Sequence, residues 1–157
     1  MILLDTVVIS ELRKRQPSPA LLNWLAGVRD DDLFLSVVSI GEIERGIEKK
    51  RQAEPAFADA LTRWLERLLH LYGDRVLPVT PAVARRWGVL SARLGHDGAD
   101  ILIAATALTH GLKVATRNVR HFAPSGVKVI NPFWRGMTIA GEVTRADRVG
   151  RNRYCAE

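Results

Sequence analysis

Short, uninterrupted apolar runs alternate along this chain with segments of helical periodicity, and nothing else in it narrows the fold as far. Ile2-Leu3-Leu4, Leu33 to Val38, Arg75 to Val79, Lys113 to Thr116 and Val127 to Ile130 read as strands. Between them, apolar residues at helical spacing predict helices over 7–14, 20–29, 39–50, 54–71, 81–94 and 101–110. On the 54–71 helix, Phe57, Leu61, Trp64, Leu65, Leu68 and Leu71 share one face. Pro81 suits a first helical turn and Gly111 a helix stop. Strands alternating with helices imply parallel βαβ units, and continuously apolar strands imply a sheet covered on both faces. The expectation is an α/β fold: a three-layer α/β/α sandwich around a mostly parallel sheet of four to five strands.

At 157 residues the chain has the length of one domain. Its 47% hydrophobic and 25% charged residues are those of a folded globular protein and exclude a disordered chain. The texture changes after Phe133. Residues 134–157 hold five arginines, three acids and few large apolar side chains. The expected division is a domain over 1–133 and a basic extension over 134–157, flexible or ordered by a partner. Cys155 has no second cysteine to pair with, so neither a disulfide nor a cysteine zinc site is indicated. The N-terminal apolar run has no basic residues before it and contains Asp5, unlike a secretory signal, and no stretch approaches the ~20 apolar residues of a membrane helix. A cytoplasmic protein with no membrane partner is expected. The net charge of +6 points to a polyanionic partner, and only +2 of it lies in the extension.

Three acids stand where an open parallel sheet collects functional groups, outside the carboxyl ends of its strands. Asp5 directly follows the first strand, Asp100 begins the 101–110 helix, and Glu42 lies near the start of the 39–50 helix. Each also has a plain structural reading. Asp5 and Asp100 could cap helices, and Ser39-x-x-Glu42 matches a capping box. Alternatively the three converge. Clustered carboxylates repel and raise one another's pKa, so convergence would require a cation. Mg²⁺ or Mn²⁺ is the natural choice for oxygen ligands, and the chemistry of such a site is phosphodiester hydrolysis.

The segment Asp5-Thr6-Val7-Val8-Ile9-Ser10-Glu11-Leu12 resembles the opening of PIN-domain ribonucleases, specifically the VapC toxins of bacterial toxin–antitoxin pairs and their FitB-like relatives. Ser39-x-x-Glu42-x-x-x-Gly46-Ile47, Ala99-Asp100-x-x-Ile103-Ala104-Ala105-Thr106-Ala107, Thr116-Arg117-Asn118 and Val129-Ile130-Asn131-Pro132-Phe133 follow in family order. The matches span residues 1–133. The resemblance implies a PIN fold and a metal-dependent endoribonuclease, with Asp5, Glu42 and Asp100 as ligands of Mg²⁺ or Mn²⁺. Thr116 would offer its hydroxyl to the site. The family's fourth acid corresponds to Asn118 or, in some members, to the residue before Phe122, which is His121 here. With an acid at neither position, one-metal chemistry is expected. Val7 stands where the family usually has asparagine, so other groups must orient Asp5. His70, His96, His110 and His121 read as surface or packing histidines, with His121 alone near the site.

RNA approaching an acidic cluster needs basic side chains to hold its phosphates. Arg117 and Arg120 flank Asn118 and are the best placed; Arg13-Lys14-Arg15, Arg45, Lys49-Lys50-Arg51 and Arg85-Arg86 read more simply as solvated faces. Trp87 could stack a base, but Leu90 at helical spacing favours core packing. The resemblance further implies a homodimer restrained by an antitoxin with a DNA-binding domain. The antitoxin's tail would pack on apolar grooves near the helices carrying Ile40–Ile47 and Leu61–Leu71. A different class of function keeps the same fold: a catalytically weak PIN-fold binding module that acts through an antitoxin complex on promoter DNA.

Overall fold

The computed structural model describes residues 1–134, so all but the first residue of the expected extension lies outside the described residues. Five strands, β1 (Ile2–Leu4), β2 (Leu33–Ser36), β3 (Val76–Leu77), β4 (Lys113–Ala115) and β5 (Val129–Ile130), form one sheet in the order β3-β2-β1-β4-β5. Every pairing is parallel. Leu3 pairs with Phe34 on one side and with Val114 on the other, which places the first strand at the centre of the sheet.

Side chains alternate across a strand, so β1 feeds two cores. Ile2 and Leu4 pack with helices α1 (Thr6–Leu12), α2 (Pro19–Ala26), α3 (Val37–Arg51) and α4 (Pro55–Tyr72). Leu3 turns to the opposite face, with α6 (Ala99–Thr109) and the short α7 (Val119–Phe122). The remaining helix, α5 (Pro81–Leu94), lies against α6 through Val83, Leu90, Ile101 and Ala105, and Trp87 packs there, as its spacing favours. The three-layer expectation holds.

The departures are local. Val37 and Val38 read as strand, yet they open α3, because Ser36 ends β2 and its Oγ accepts the Val38 N–H at 3.2 Å. A capping serine overrides the β preference of two valines. The capping box is therefore a misreading: Ser39 is buried inside the helix and Glu42 lies in its second turn. On α4, Leu61, Trp64, Leu65 and Leu68 are buried as expected, each worth about 2 kcal/mol of apolar burial. Phe57 and Leu71 are exposed instead, and Ala58 and Tyr72 take their places. The third strand shrinks to Val76–Leu77 because Gly73–Arg75 forms a 3-10 turn, and the fifth to Val129–Ile130. Gly111 has the positive φ of 67° expected of the residue that stops α6 and turns the chain into β4.

Candidate active site

The chain leaves β1 for β2 and β3 on one side and returns for β4 and β5 on the other. Connections thus diverge between β1 and β4, the crevice where open α/β sheets place their ligands. Asp5 follows β1 at this point, and Thr116 follows β4. The two side chains meet: Thr116 Oγ1 donates to Asp5 Oδ2 at 2.6 Å, and both residues are buried. The same hydroxyl oxygen accepts the Asn118 N–H at 2.9 Å, which ties the β4–α7 turn to the acid. Asp5 occupies the N-cap position of α1 but makes no capping hydrogen bond through its side chain. Val7, beside it, packs into the core, so Thr116 is the orienting group that the missing asparagine called for.

Burial pushes the Asp5 carboxyl up to about 6, and the negative charges of Asp100 and Glu42 push in the same direction. The Thr116 hydroxyl and the Thr6 backbone N–H act against this rise. Asp5 therefore lies within electrostatic reach of both other acids.

Glu42 and Asp100 each have a partner that the motif reading overlooked. Thr6, the first residue of α1, donates its hydroxyl to Glu42 Oε2 at 2.5 Å. Its position in the Asp5-Thr6 pair is the one sequence signal that could have exposed it. Asp100 lies in the first turn of α6, where its Oδ2 is 2.7 Å from Nδ1 of His121. His121 is thus neither a plain surface nor a packing histidine. Phe122, fully buried in the second core, anchors α7 and holds the neighbouring imidazole at the cleft rim. Its standing at the family's alternative acid position was the available clue.

Other expected site residues are brought near without joining this set. Asn118 sits at the N-cap of α7 with its side chain exposed and making no capping hydrogen bond. Arg117 is held by Glu11 at 3.2 Å and lies 4.0 Å from the centre of the Phe133 ring, so half of its side chain is engaged in structure. Arg120 is exposed on α7. His70, His96 and His110 are exposed. Among the described residues, no three His, Cys, Asp or Glu side chains form a ready-made metal-holding group.

A groove of about 190 Å³ opens beside Glu42 and Thr6. Its apolar walls include Ile47 and Trp64, and Arg13 and Lys50 are its basic members. Arg13 also lies over the exposed Phe57 ring, 5.6 Å from its centre.

These features agree with comparisons to known proteins. The PIN domain family model matches residues 2–124. The VapC ribonuclease Y4jK of Sinorhizobium fredii is 37% identical over 142 residues, covering 85% of this chain and 98% of the relative. The plasmid stability protein StbB of Pseudomonas syringae is also 37% identical, covering 85% of this chain and 99% of its own length. The crystal structure of FitAcB from Neisseria gonorrhoeae superposes with a TM-score of 0.75 at 34% identity, covering 85% of this chain and 99% of that one. With the fold, Asp5 at the end of the central strand and these likenesses in agreement, the chain belongs to the PIN-domain family, in its VapC and FitB branch.

Proposed function

We propose that this protein is a metal-dependent endoribonuclease toxin, hydrolysing phosphodiester bonds in RNA with Mg²⁺ or Mn²⁺ at Asp5, Glu42 and Asp100. The observation that carries the reading is a carboxylate held in the crevice at the end of the central strand: Asp5 is buried, hydrogen-bonded by Thr116 at 2.6 Å and raised to about 6 by burial, with Asp100 and Glu42 adding to the rise. The donor set fits a hard divalent cation, which takes one or two carboxylates directly and keeps several waters. It does not need the closed protein cage of a structural zinc site. When bound, such a cation polarises a phosphate oxygen and lowers the pKa of an attacking water.

The chain's own residues prepare that chemistry. Thr116 fixes the direction of the Asp5 carboxylate, and Thr6 fixes that of Glu42. Asn118, at the mouth of the cleft, offers an amide to a water or to the substrate. Arg120 is exposed and would meet an RNA phosphate, and the exposed edge of Arg117 adds positive charge beside it.

The partners in this reading are RNA, a second copy of the chain, and an antitoxin carrying a DNA-binding domain. Related FitAB has been solved bound to an IR36 DNA fragment, at 33% identity to this chain. The groove beside Glu42 supports an antitoxin seat: apolar walls for a helical or extended tail, next to an acid that a basic side chain could reach. The cytoplasm is the compartment in which such a toxin acts, and no helix among the described residues is long and apolar enough to cross a membrane.

The test is RNA cleavage by purified protein with Mn²⁺ or Mg²⁺, with EDTA, and in Asp5→Asn and Asp100→Asn. Cleavage that needs the cation and is lost in both variants supports the enzyme. Equal residual cleavage in both variants marks contamination, and leaves the weak binding module as the better account.

A further inference from the structure

We infer that His121 sets the metal preference of this site, giving the carboxylates a nitrogen donor beside Asp100 and turning the site from Mg²⁺ toward Mn²⁺. The inference rests on the proposed metal-dependent function and extends it to a residue with no acidic character.

The geometry has three parts. First, Nδ1 of His121 faces Oδ2 of Asp100 at 2.7 Å. As it stands this contact is a hydrogen bond; with a cation bound, the same two atoms would be the oxygen and nitrogen donors offered to it from this side of the site. Second, the backbone that carries the imidazole is fixed by the packing of its neighbour. The backbone N–H of His121 donates to the Asn118 carbonyl at 3.0 Å, the Phe122 side chain is fully buried, and Ser125 Oγ donates to the Phe122 carbonyl at 2.6 Å. Third, both groups keep access to the cleft: 61% of the His121 side chain and 28% of the Asp100 side chain remain exposed. An ion and its waters can therefore enter without unpacking the core.

The chemistry supplies the direction. Mg²⁺ favours oxygen ligands and gives up its waters reluctantly, whereas imidazole suits transition ions, whose affinity for nitrogen rises along the first row from Mn²⁺. An acid at position 121 would add negative charge and favour any hard dication. An imidazole that ligates through a ring nitrogen's lone pair adds none, so the attraction that Mg²⁺ depends on would be weaker there. With Asn118 also neutral, the donor set beyond Asp5, Glu42 and Asp100 carries no charge to restore it. An alternative arrangement uses the same contact differently: Nδ1–H donates to Asp100 and only steadies it, leaving the ion with oxygen ligands alone.

Pulsed EPR of Mn²⁺ bound to the full, untagged chain separates the two arrangements, because only a ligated imidazole gives a ¹⁴N modulation. Calorimetric titration with Mn²⁺ and with Mg²⁺ gives the affinity ratio independently of cleavage. We expect nitrogen modulation in the unmodified protein and its loss in His121→Asp. We also expect His121→Asp to lower the Mn²⁺-over-Mg²⁺ ratio by at least about tenfold. Since His121 is exposed, the variant should fold, and an unchanged melting curve without metal confirms this. Mn²⁺ that binds without nitrogen modulation, with a ratio indifferent to His121→Asp, overturns this inference and leaves the proposed function standing. Failure of the unmodified protein to bind either ion overturns both.

Discussion

Thr116 and Asp5 are joined by a 2.6 Å hydrogen bond across 111 residues of chain, from the end of one central strand to the end of its neighbour. The bond couples the site to the sheet: the acid cannot take its direction unless β1 and β4 are paired.

Thr116→Val keeps the shape and removes the donor. Asp5 then loses the hydroxyl that favours its ionised form, and the Asn118 N–H loses its acceptor. The expected cost is about 1–3 kcal/mol in stability. Cleavage should fall by about 10–100-fold, the usual effect of removing a group that orients a ligand. Thr116→Ser, which restores the hydroxyl, should recover most of both. Denaturant titration and initial cleavage rates check the pair.

Asp5→Asn should abolish cleavage and yet stabilise the metal-free fold at neutral pH. The sign follows from the raised carboxyl, which moves from an ordinary 3.8 to about 6 in the folded chain. The penalty is fully present above pH 6 and is relieved as pH falls through 6 toward 3.8. At pH 7 in EDTA the variant should gain on the order of 1–2 kcal/mol. That gain should shrink at pH 5. Melting curves at the two pH values test it, and a variant less stable than the parent at pH 7 would contradict the charge crowding.

Glu11 behaves in the opposite sense. Lys14 lies 2.8 Å from its carboxylate, Arg117 lies at 3.2 Å, and the Ser18 N–H donates to it at 3.2 Å, so its pKa falls below the ordinary 4.5. Its contribution is present above pH 4.5 and is lost as pH drops through the lowered value. Glu11→Gln should therefore cost about 1 kcal/mol at pH 7 and almost nothing near pH 3. It should also free Arg117, which a change in the salt dependence of RNA binding would report.

Phe57→Glu tests the groove. The side chain is 42% exposed, so the charge should leave the fold intact and cleavage near its starting rate. Capture of the cognate antitoxin should weaken by at least about tenfold, measured by calorimetry. Unchanged affinity would move the antitoxin's seat elsewhere.

The layers were legible because continuous apolar runs admit few placements, and Asp5 was legible because it interrupts one of them. Glu42 and Asp100 were found by motif, but their immediate partners were not. Thr6 and His121 act through contacts 36 and 21 residues apart in sequence, and no local pattern encodes such a meeting. The start of α3 was missed for a different reason. Two valines carry a strong strand preference, and a single hydrogen bond to Ser36 is enough to reverse it. Arg117 read as a free cation because Glu11, its partner, precedes it by 106 residues.

The central position of β1 also sets when the crevice can be completed. Of the five strands, β1 is translated before the rest, but its second neighbour, and the hydroxyl that steadies Asp5, follow 111 residues later. Until then the strand waits with one edge open, and long-range pairing of this kind is slow. A ribosome that stops before Thr116 leaves a chain with Asp5, Glu42 and Asp100 but no crevice to hold them. The direction of the Asp5 carboxylate is thus a property of the paired sheet, and it is set only once β4 has been made.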